Sequence, residues 1–400
     1  MNIQISKTQY SGIVTAPPSK SYAHRALICA GLSSGTSRIR GVGNCADINA
    51  TLDCLTALGC EVRRDGDDVT VTGCDVFKRE KATLPCRESG STLRFFLPLC
   101  LLSENEAVLT GSERLLSRPL DVYEQICVGQ GLRFVLEDDY VSVGGPLKGG
   151  YFRVRGDISS QFISGLMLTL PLLDGISVIE LQPPVVSVPY IVMTAETMKK
   201  FGVEVEFTED DKIIIHGGQK YCPCTYSVEG DWSGAAPFLA LSALGHDVDV
   251  EGLDRDSLQA DAVIRKLLGK LRRGHPTIDI TNCPDLAPVL LAASSALCGV
   301  TLTGTARLRD KESDRADAMA AELAKLGART VVSEDTIEVT PPRGLTSPSS
   351  PLDSHNDHRI AMACAVLLTL TGGEISGAEA VTKSYPDFFA DLSALGKDEK

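Results

Sequence analysis

The chain has 400 residues, a net charge of −13 and thirteen cysteines, and these properties exclude several classes of protein. Four hundred residues exceed what one compact core usually holds, so we expect two domains. The acidic balance argues against nucleic acid or an anionic membrane as a partner, because both would repel a negative surface.

The N-terminal segment and the cysteines are typical of a cytoplasmic protein. The opening stretch MNIQISKTQYSG lacks the apolar core of a signal peptide, and no apolar run reaches the roughly 18 residues of a membrane span. The cysteines are odd in number and scattered through apolar stretches, and no set of cysteines and histidines has the spacing of a zinc site. We therefore expect reduced, mostly buried thiols and no metal.

One pattern recurs about six times along the chain, mostly at intervals of about 70 residues. A polar segment, here called a tip, precedes a helix of almost exclusively apolar residues; a strand, an amphipathic second helix and often a hairpin follow. A helix that is apolar on every side must be buried on every side. The pattern therefore predicts βαβαββ units with buried helices inside and sheets outside, three units in each of two similar domains. In chain order the tips are SKSYAHR (19–25), ESGSTLR (88–94), DISSQF (157–162), DWSGAAP (231–237), PDLAP (284–288) and NDHRIAM (356–362).

The amphipathic second helices share a way of ending. Each runs into a glycine, at the position where a residue in the left-handed conformation commonly closes a helix. The glycines are Gly59, Gly131, Gly202, Gly327 and Gly396.

The tips carry positive charge where a helix disfavours it. A helix N-terminus already bears a partial positive charge, yet the first tip contains Lys20 and Arg25. Taken singly, such residues have simpler interpretations: Arg118 as a solvated loop residue, the Ser159–Ser160 pair as a helix cap, and RDKESDR as the start of a surface helix. Their recurrence at equivalent places of a repeat instead indicates a ligand with several negative charges, since the N–H groups at helix N-termini bind anions. The other cations of this set are Arg94, Lys311, Arg315, Arg359 and Lys383.

The ordered motifs resemble those of the 5-enolpyruvylshikimate-3-phosphate (EPSP) synthases. From about Lys20 to Phe389 they read PPSKSYAHRAL, ESGSTLRF, SRPLD, GDISSQF, GDWSGAA, PDLAP, DKESDR, NDHRIAMA and TKSYPDFF. The resemblance implies an α/β fold of two similar domains, each of three βαβαββ units, with the active site in the cleft between them. It also implies that the N-terminal strand belongs to the second domain, so that the domains comprise 1–14 plus 229–400 and 15–228.

The activity implied by the resemblance is transfer of the enolpyruvyl group of phosphoenolpyruvate to the 5-hydroxyl of shikimate 3-phosphate, with release of phosphate, in the shikimate pathway of aromatic amino-acid biosynthesis. Asp285 would take the hydroxyl proton, Glu312 would protonate the methylene carbon, and Lys20 would shuttle protons to the leaving phosphate. The residues implied for shikimate 3-phosphate are Lys20, Ser21, Arg25, Ser159, Ser160, Gln161, Ser187, Asp285 and Lys311. Those implied for phosphoenolpyruvate are Lys20, Gly90, Arg118, Gln161, Arg315, Arg359 and Lys383.

The resemblance implies no cofactor and no metal. The two small-molecule substrates would be the partners of a cytoplasmic enzyme that we expect to be a monomer. Glyphosate is expected to overlap the phosphoenolpyruvate site, and anionic ligands are expected to close the domains.

The chain departs from the usual pattern of the family where that pattern reads Asn-Ala-Gly-Thr and this chain reads Glu88-Ser89-Gly90-Ser91, and also at two further positions. Glu88 and Ser89 stand where Asn and Ala are common, His24 stands where Asn is frequent, and Arg307 occupies a position where Asn often contacts shikimate 3-phosphate. These departures leave the affinity for phosphoenolpyruvate and the sensitivity to glyphosate open.

Two other functions remain as alternatives. An enolpyruvyl transferase acting on UDP-N-acetylglucosamine shares the fold, but it carries a cysteine on the loop before its Arg-Pro, and the loop here reads TGSERLLSRP. A non-catalytic anion-binding module on the same scaffold would need the arginines but not Asp285 and Glu312.

Overall fold

The computed structural model describes residues 1–396 as a mixed α/β protein. Contacts divide the chain into two compact units, Met1–Pro17 with Gly230–Lys400 and Pro18–Glu229. The domains proposed from the sequence were 1–14 plus 229–400 and 15–228.

Helices and short strands alternate along the chain. The helices are α1 (Lys20–Leu32), α2 (Ala46–Ala57), α3 (Gly90–Cys100), α4 (Glu113–Leu116), α5 (Asp121–Gln130), α6 (Ser160–Thr169), α7 (Val188–Lys200), α8 (Trp232–Ala243), α9 (Ile264–Leu271), α10 (Ala287–Ala296), α11 (Arg315–Lys325), α12 (His358–Thr371) and α13 (Phe388–Leu395). The strands are β1 (Asn2–Ile5), β2 (Ser11–Thr15), β3 (Thr36–Arg40), β4 (Glu61–Asp65), β5 (Asp68–Thr72), β6 (Ala82–Arg87), β7 (Ala107–Gly111), β8 (Arg133–Leu136), β9 (Tyr140–Gly144), β10 (Tyr151–Arg155), β11 (Ile176–Gln182), β12 (Glu206–Phe207), β13 (Lys212–His216), β14 (Thr225–Ser227), β15 (Asp247–Glu251), β16 (Thr277–Asp279), β17 (Val300–Thr303), β18 (Arg329–Val332), β19 (Thr336–Thr340), β20 (Leu352–Asp353) and β21 (Gly373–Ser376).

The Pro18–Glu229 unit contains three four-stranded sheets of the same design. Their strand orders are β14-β3-β5-β4, β6-β7-β9-β8 and β10-β11-β13-β12. In each, the first two strands are parallel, and the last two form an antiparallel pair that joins the sheet antiparallel to the second strand. Helices α1, α3 and α6 are buried along nearly their whole length, and α3 packs on α6. This is the predicted arrangement of repeated units around apolar helices.

The other unit repeats the design in a reduced form. Its sheet β16-β17-β19-β18 has the full pattern, but β15 pairs only with β2, and β1, β21 and β20 form a three-stranded sheet. Within the described residues, one of the three βαβαββ-type units expected here therefore has the full four-stranded sheet, and the other two are shortened. The segment between α9 and β16 is only 272–276, which is too short for a hairpin. Helices α8, α10 and α12 are again buried.

The predicted helix ends are mostly confirmed. Gly59, Gly131, Gly202 and Gly327 have φ values of 104°, 68°, 79° and 89°, in the left-handed region that favours glycine. The prediction is wrong at Gly396, whose φ is −69°. This residue forms an antiparallel β-bridge with Tyr10, and a β-bridge requires extended backbone.

All thirteen cysteines lie in the described part of the chain and are free there, and nine of them are buried. No helix between residues 1 and 396 is both long enough and apolar enough to cross a membrane.

Candidate functional site

The residues predicted to bind substrates or to move protons form two clusters, each within one unit. The Lys20 cluster, in the Pro18–Glu229 unit, comprises Lys20, Ser21, Arg25, Gly90, Arg118, Ser159, Ser160, Gln161 and Ser187. The Arg315 cluster, in the other unit, comprises Asp285, Lys311, Glu312, Arg315, Arg359 and Lys383.

The Lys20 cluster is built on the N-termini of three buried helices. Helices α1, α3 and α6 begin immediately after Ser19, Ser89 and Ser159, which occupy the N-cap position. Ser89 Oγ accepts a hydrogen bond from the backbone N–H of Thr92, and Ser159 Oγ accepts one from that of Gln161. Ser159 is therefore a helix cap, as its simpler interpretation proposed, and it stands at a helix end suited to anions.

Lys20, the first residue of α1, is already paired with a carboxylate. Its Nζ lies 2.7 Å from Oδ2 of Asp47 on α2, and both side chains are largely buried. Asp47 was not among the site residues predicted from the sequence. The repeat pattern identifies tips, and Asp47 lies instead in the first turn of an amphipathic second helix.

Arg25 is a buried residue that uses most of its donors on the protein. Its Nε donates to Thr194 Oγ1 at 2.7 Å, its Nη1 to the Ser21 carbonyl at 2.8 Å, and its Nη2 to the Tyr190 carbonyl at 3.2 Å. Burial lowers the pKa of Arg25 to about 10. The Tyr190 N–H in turn donates to the carbonyl of Ser187, so Arg25 ties together the starts of α1 and α7.

The start of α3 is tightly surrounded by polar side chains. A Cβ added to Gly90 would lie only 2.8 Å from Nη1 of Arg118, so the guanidinium packs directly against this helix end. On α6, Gln161 donates to Ser91 Oγ at 2.9 Å and accepts from Arg94 Nη1 at 2.8 Å. Glycine at position 90 is what allows Arg118 this approach.

The Arg315 cluster centres on one fully buried guanidinium. Arg315, the first residue of α11 and 1% exposed, donates to Asp285 Oδ1 at 2.7 Å, to Glu312 Oε2 at 2.9 Å and to Asp357 Oδ2 at 2.8 Å. The alternative interpretation of RDKESDR as the start of a surface helix is thus wrong for Arg315. Lys311 Nζ also lies 3.4 Å from Asp285 Oδ1.

Asp357, which the sequence analysis missed, connects this cluster to the last tip. It caps α12, and its Oδ1 accepts from the backbone N–H of Arg359 at 2.8 Å. Lys383 Nζ donates to the Asn356 carbonyl at 2.6 Å, which brings the Lys383 ammonium to the same tip. The motif NDHR already contained the signal, because Asp is a preferred helix cap.

The cations determine the charge state of Asp285. Burial alone would raise its pKa, but Lys311, Arg315 and Arg359 hold the pKa of Asp285 well below its usual range. The side chain is 26% exposed. Asp285 is therefore an ionised, accessible carboxylate and is chemically able to accept a proton.

Arg307, at which the resemblance led us to expect Asn, is hydrogen-bonded within its own unit. Its Nη2 donates to the carbonyl of Thr281 at 2.7 Å, on the loop that leads to Asp285. It therefore lies close to the Arg315 cluster without having been assigned a role.

Comparison with known protein families gives one consistent result over nearly the whole chain. The family model of EPSP synthase (3-phosphoshikimate 1-carboxyvinyltransferase) matches residues 5–392. The 3-phosphoshikimate 1-carboxyvinyltransferase of Clostridium kluyveri is 39% identical over 415 residues, covering 98% of this chain and 97% of that protein. The enzyme of the same name from Clostridioides difficile is 37% identical, covering 99% and 97%.

Solved structures show the same fold. An EPSP synthase from Acinetobacter baumannii superimposes with a TM-score of 0.75 at 24% identity, over 99% of this chain and 98% of that one. The enolpyruvyl transferase NikO from Streptomyces tendae superimposes with a TM-score of 0.78 at 17% identity, over 99% and 97%.

Proposed function

The chain belongs to the EPSP synthase family, and we propose that it transfers the enolpyruvyl group of phosphoenolpyruvate to the 5-hydroxyl of shikimate 3-phosphate. The observation that carries the proposal is the Arg315 cluster, in which Asp285 and Glu312 are bonded to the same buried guanidinium. A module that only bound anions would gain nothing from two carboxylates held among its cations. An enzyme that moves protons needs such groups.

The reaction consists of an addition and an elimination. In the addition, Asp285 accepts the proton of the 5-hydroxyl while its oxygen bonds to C2 of phosphoenolpyruvate, and Glu312 donates a proton to C3. In the elimination, C3 returns a proton to the Glu312 carboxylate, the double bond between C2 and C3 re-forms as the bond from C2 to the phosphate oxygen breaks, and phosphate leaves. Lys20 balances the charge of the leaving phosphate and supplies its proton.

The ion pairs around Asp285 impose a condition on this scheme. A carboxylate held by Arg315 and Lys311 is ionised but weakly basic, because its low pKa reflects strongly stabilised charge. The contacts to Asp285 must loosen when the anionic substrates engage the same cations. Substrate binding thereby makes the base stronger at the moment when it is needed.

Substrate recognition is assigned to both clusters. We propose that shikimate 3-phosphate is held by Lys20, Ser21, Arg25, Ser159, Ser160, Gln161, Ser187, Asp285 and Lys311, and phosphoenolpyruvate by Lys20, Gly90, Arg118, Gln161, Arg315, Arg359 and Lys383. The N–H groups at the starts of α1, α3 and α6, together with planar guanidinium groups, suit phosphate and carboxylate oxygens. These substrates are the proposed partners of an enzyme that works in the cytoplasm as a monomer.

Phosphate release from phosphoenolpyruvate tests the proposal. The purified protein is assayed with shikimate 3-phosphate, with UDP-N-acetylglucosamine and without an acceptor. Release only with shikimate 3-phosphate is the expected result. Release with UDP-N-acetylglucosamine would favour the alternative transferase, and no release with either acceptor would favour a binding module.

A further inference from the structure

Four buried polar side chains form a continuous row from α1 to the start of α3. His24 Nδ1 lies 2.7 Å from Thr51 Oγ1, which lies 2.8 Å from Thr92 Oγ1, which lies 2.7 Å from Ser89 Oγ. Each of the four residues is 0% exposed. Polar groups buried so completely are costly unless they are hydrogen-bonded. We call the row of His24, Thr51, Thr92 and Ser89 the buried hydroxyl chain, and its burial requires a functional or structural reason.

Taking Thr92 Oγ1 as the donor to Ser89 Oγ sets one order of protons along the buried hydroxyl chain. Thr92 Oγ1 donates to Ser89 Oγ, and a hydroxyl has a single proton to donate. Thr51 must then donate to Thr92, and His24 Nδ1 must donate to Thr51. His24 is therefore the neutral imidazole with its proton on Nδ1.

The surroundings of His24 agree with this assignment. Its Nε2 is buried and has no hydrogen-bond partner among residues 1–396. An unpaired lone pair in that position costs less than the unpaired N–H group of a charged ring. Burial, and then the positive charges of Lys20 and Arg25, hold the pKa of His24 well below its usual value. The proton order is thus stable at physiological pH.

One end of the buried hydroxyl chain is Ser89, the N-cap residue of α3. Ser89 Oγ also accepts from the backbone N–H of Thr92 at 3.3 Å, so Ser89 fixes where the helix begins. The next residue is Gly90, against which the guanidinium of Arg118 packs. A small shift of this cap would change the position of the first N–H groups of α3 and the space available to Arg118.

Thr92, in the middle of the buried hydroxyl chain, lies close to the ion pair of Lys20. Thr92 Oγ1 lies 3.5 Å from the carbonyl of Asp47, and the carboxylate of Asp47 binds Lys20 Nζ at 2.7 Å. The same hydroxyl is therefore near both the partner of Lys20 and the cap that precedes Gly90.

We propose that the buried hydroxyl chain is a positioning device, which holds the start of α3 against α1 and thereby sets the place of Gly90 and Arg118 for the phosphoenolpyruvate phosphate. This role rests on the proposed function. Its two ends, His24 and Ser89, are both positions at which the resemblance described above led us to expect another residue. Because one ordered row of protons joins them, the two residues act together and not independently.

Interrupting the row at its centre tests the proposal. Thr51→Val keeps the shape of the side chain and removes the hydroxyl, and we expect the KM for phosphoenolpyruvate to rise about tenfold while the KM for shikimate 3-phosphate stays within about twofold. Thr51→Ser restores the hydroxyl and should restore the wild-type KM. The matched control is Thr169→Val on α6, since Thr169 is similarly buried and, in the described part of the chain, its hydroxyl bonds only to the Gly165 carbonyl at 2.8 Å. An equal rise of both KM values in Thr51→Val, or no difference from the control, would overturn the positioning role.

The two ends are tested by a double-mutant cycle with His24→Asn and Ser89→Ala. We expect the double variant to raise the KM for phosphoenolpyruvate by less than the product of the two single effects, because either change alone already breaks the row. Effects that multiply would show that the ends are independent and would overturn the proposal.

Nuclear magnetic resonance separates this inference from the proposed function. The ¹⁵N resonances of His24 should show a protonated Nδ1 and an unprotonated Nε2 that do not titrate between about pH 5 and pH 8; the opposite tautomer or a titrating ring would overturn the proton order. The Gly90 amide resonance should shift in Thr51→Val and not in Thr169→Val. An unchanged Gly90 resonance in Thr51→Val would show that the buried hydroxyl chain does not position the start of α3. These readouts stand even if the wild-type protein releases no phosphate with shikimate 3-phosphate, which would refute the proposed function alone.

Discussion

Asp285 is the residue on which the proposed chemistry depends most directly. Its carboxylate lies between Arg315 and Lys311 and opens onto solvent. We expect Asp285→Asn, which keeps the shape but cannot accept the proton, to lower kcat at least about a hundredfold, as is common on loss of a general base. Shikimate 3-phosphate should still bind, since other tips contribute most of its proposed contacts.

Calorimetric binding and steady-state kinetics together measure this effect. The matched control is Asp279→Asn, because Asp279 lies at the end of β16 and accepts only from Thr281 in the contacts described. A variant Asp285→Asn that kept a third of its turnover would leave Asp285 a purely structural role.

Gly90 offers a second test at the scale of one residue. The backbone at Gly90 is helical, so alanine is favoured there by up to about 1 kcal/mol and thermal stability should stay nearly level. The added methyl group would lie 2.8 Å from Arg118 Nη1 and must displace that flexible guanidinium. We therefore expect Gly90→Ala to raise the KM for phosphoenolpyruvate about tenfold, the loss of one charge-assisted hydrogen bond, and to weaken glyphosate inhibition further. Equal weakening of both substrates with a lower melting temperature would instead indicate a structural glycine.

Single residues also show where sequence reasoning stops. The cations of the tips could be predicted because they recur with the repeat, and they do lie at helix starts. Asp47 and Asp357 could not be assigned as partners of Lys20 and Arg315, since an ion pair joins two elements whose contact has no periodic signal. A sequence indicates which charges are present, and the fold decides which of them neutralise each other.

At the scale of the element, helix ends are the best-predicted features. Ser and Gly have local reasons to cap helices, so the N-cap of α6 and four left-handed C-terminal glycines follow from short motifs. Gly396 is the exception, because its conformation depends on a β-bridge to Tyr10, which is distant in the chain. Local signals predict local conformation, and pairing with a remote strand overrides them.

Helix α11 links capping to the site, because Arg315 is its first residue. Asp314 caps this helix by accepting from the N–H groups of Ala316 and Asp317 at 3.1 and 3.2 Å. Asp314→Ala should lower the free energy of unfolding by about 1 kcal/mol, as measured by the urea midpoint. Asp314→Ser, which can still cap the helix, should recover most of the loss; equal destabilisation by both variants would mean that the charge and not the cap stabilises the helix.

At the scale of the whole molecule, the repeated sequence pattern predicted the two units but not which of them the first strands join. Six apolar helices with recurring tips predicted two units built around buried helices, because such helices can be buried only against each other. The pairing of β1 with β21 and of β2 with β15 has no counterpart in composition or periodicity. Only the family resemblance implied that the first strands join the second half of the chain.

Net charge leads to a prediction about the complete molecule. The chain carries −13, and its proposed substrates are anions, so long-range repulsion opposes the short-range attraction of the two clusters. The Debye length is about 30 Å at 0.01 M salt, about 8 Å at 0.15 M and about 3 Å at 1 M. Between the first two concentrations, salt screens the distant acidic surface more than the cations that touch the ligand, whereas higher salt screens both.

We therefore expect the KM for phosphoenolpyruvate to pass through a minimum as potassium chloride is raised from 0.01 M to 1 M, roughly where the Debye length falls below the size of the site. Steady-state kinetics at constant pH measure the curve, with kcat and the melting temperature recorded at each salt concentration to exclude unfolding. Potassium acetate in place of the chloride distinguishes screening from competition by chloride at the anion site, because screening depends only on ionic strength. A KM that rises from the lowest salt concentration onward would mean that attraction by the cations of the two clusters outweighs repulsion by the acidic surface at every salt concentration. The acidic surface would then have no part in substrate capture.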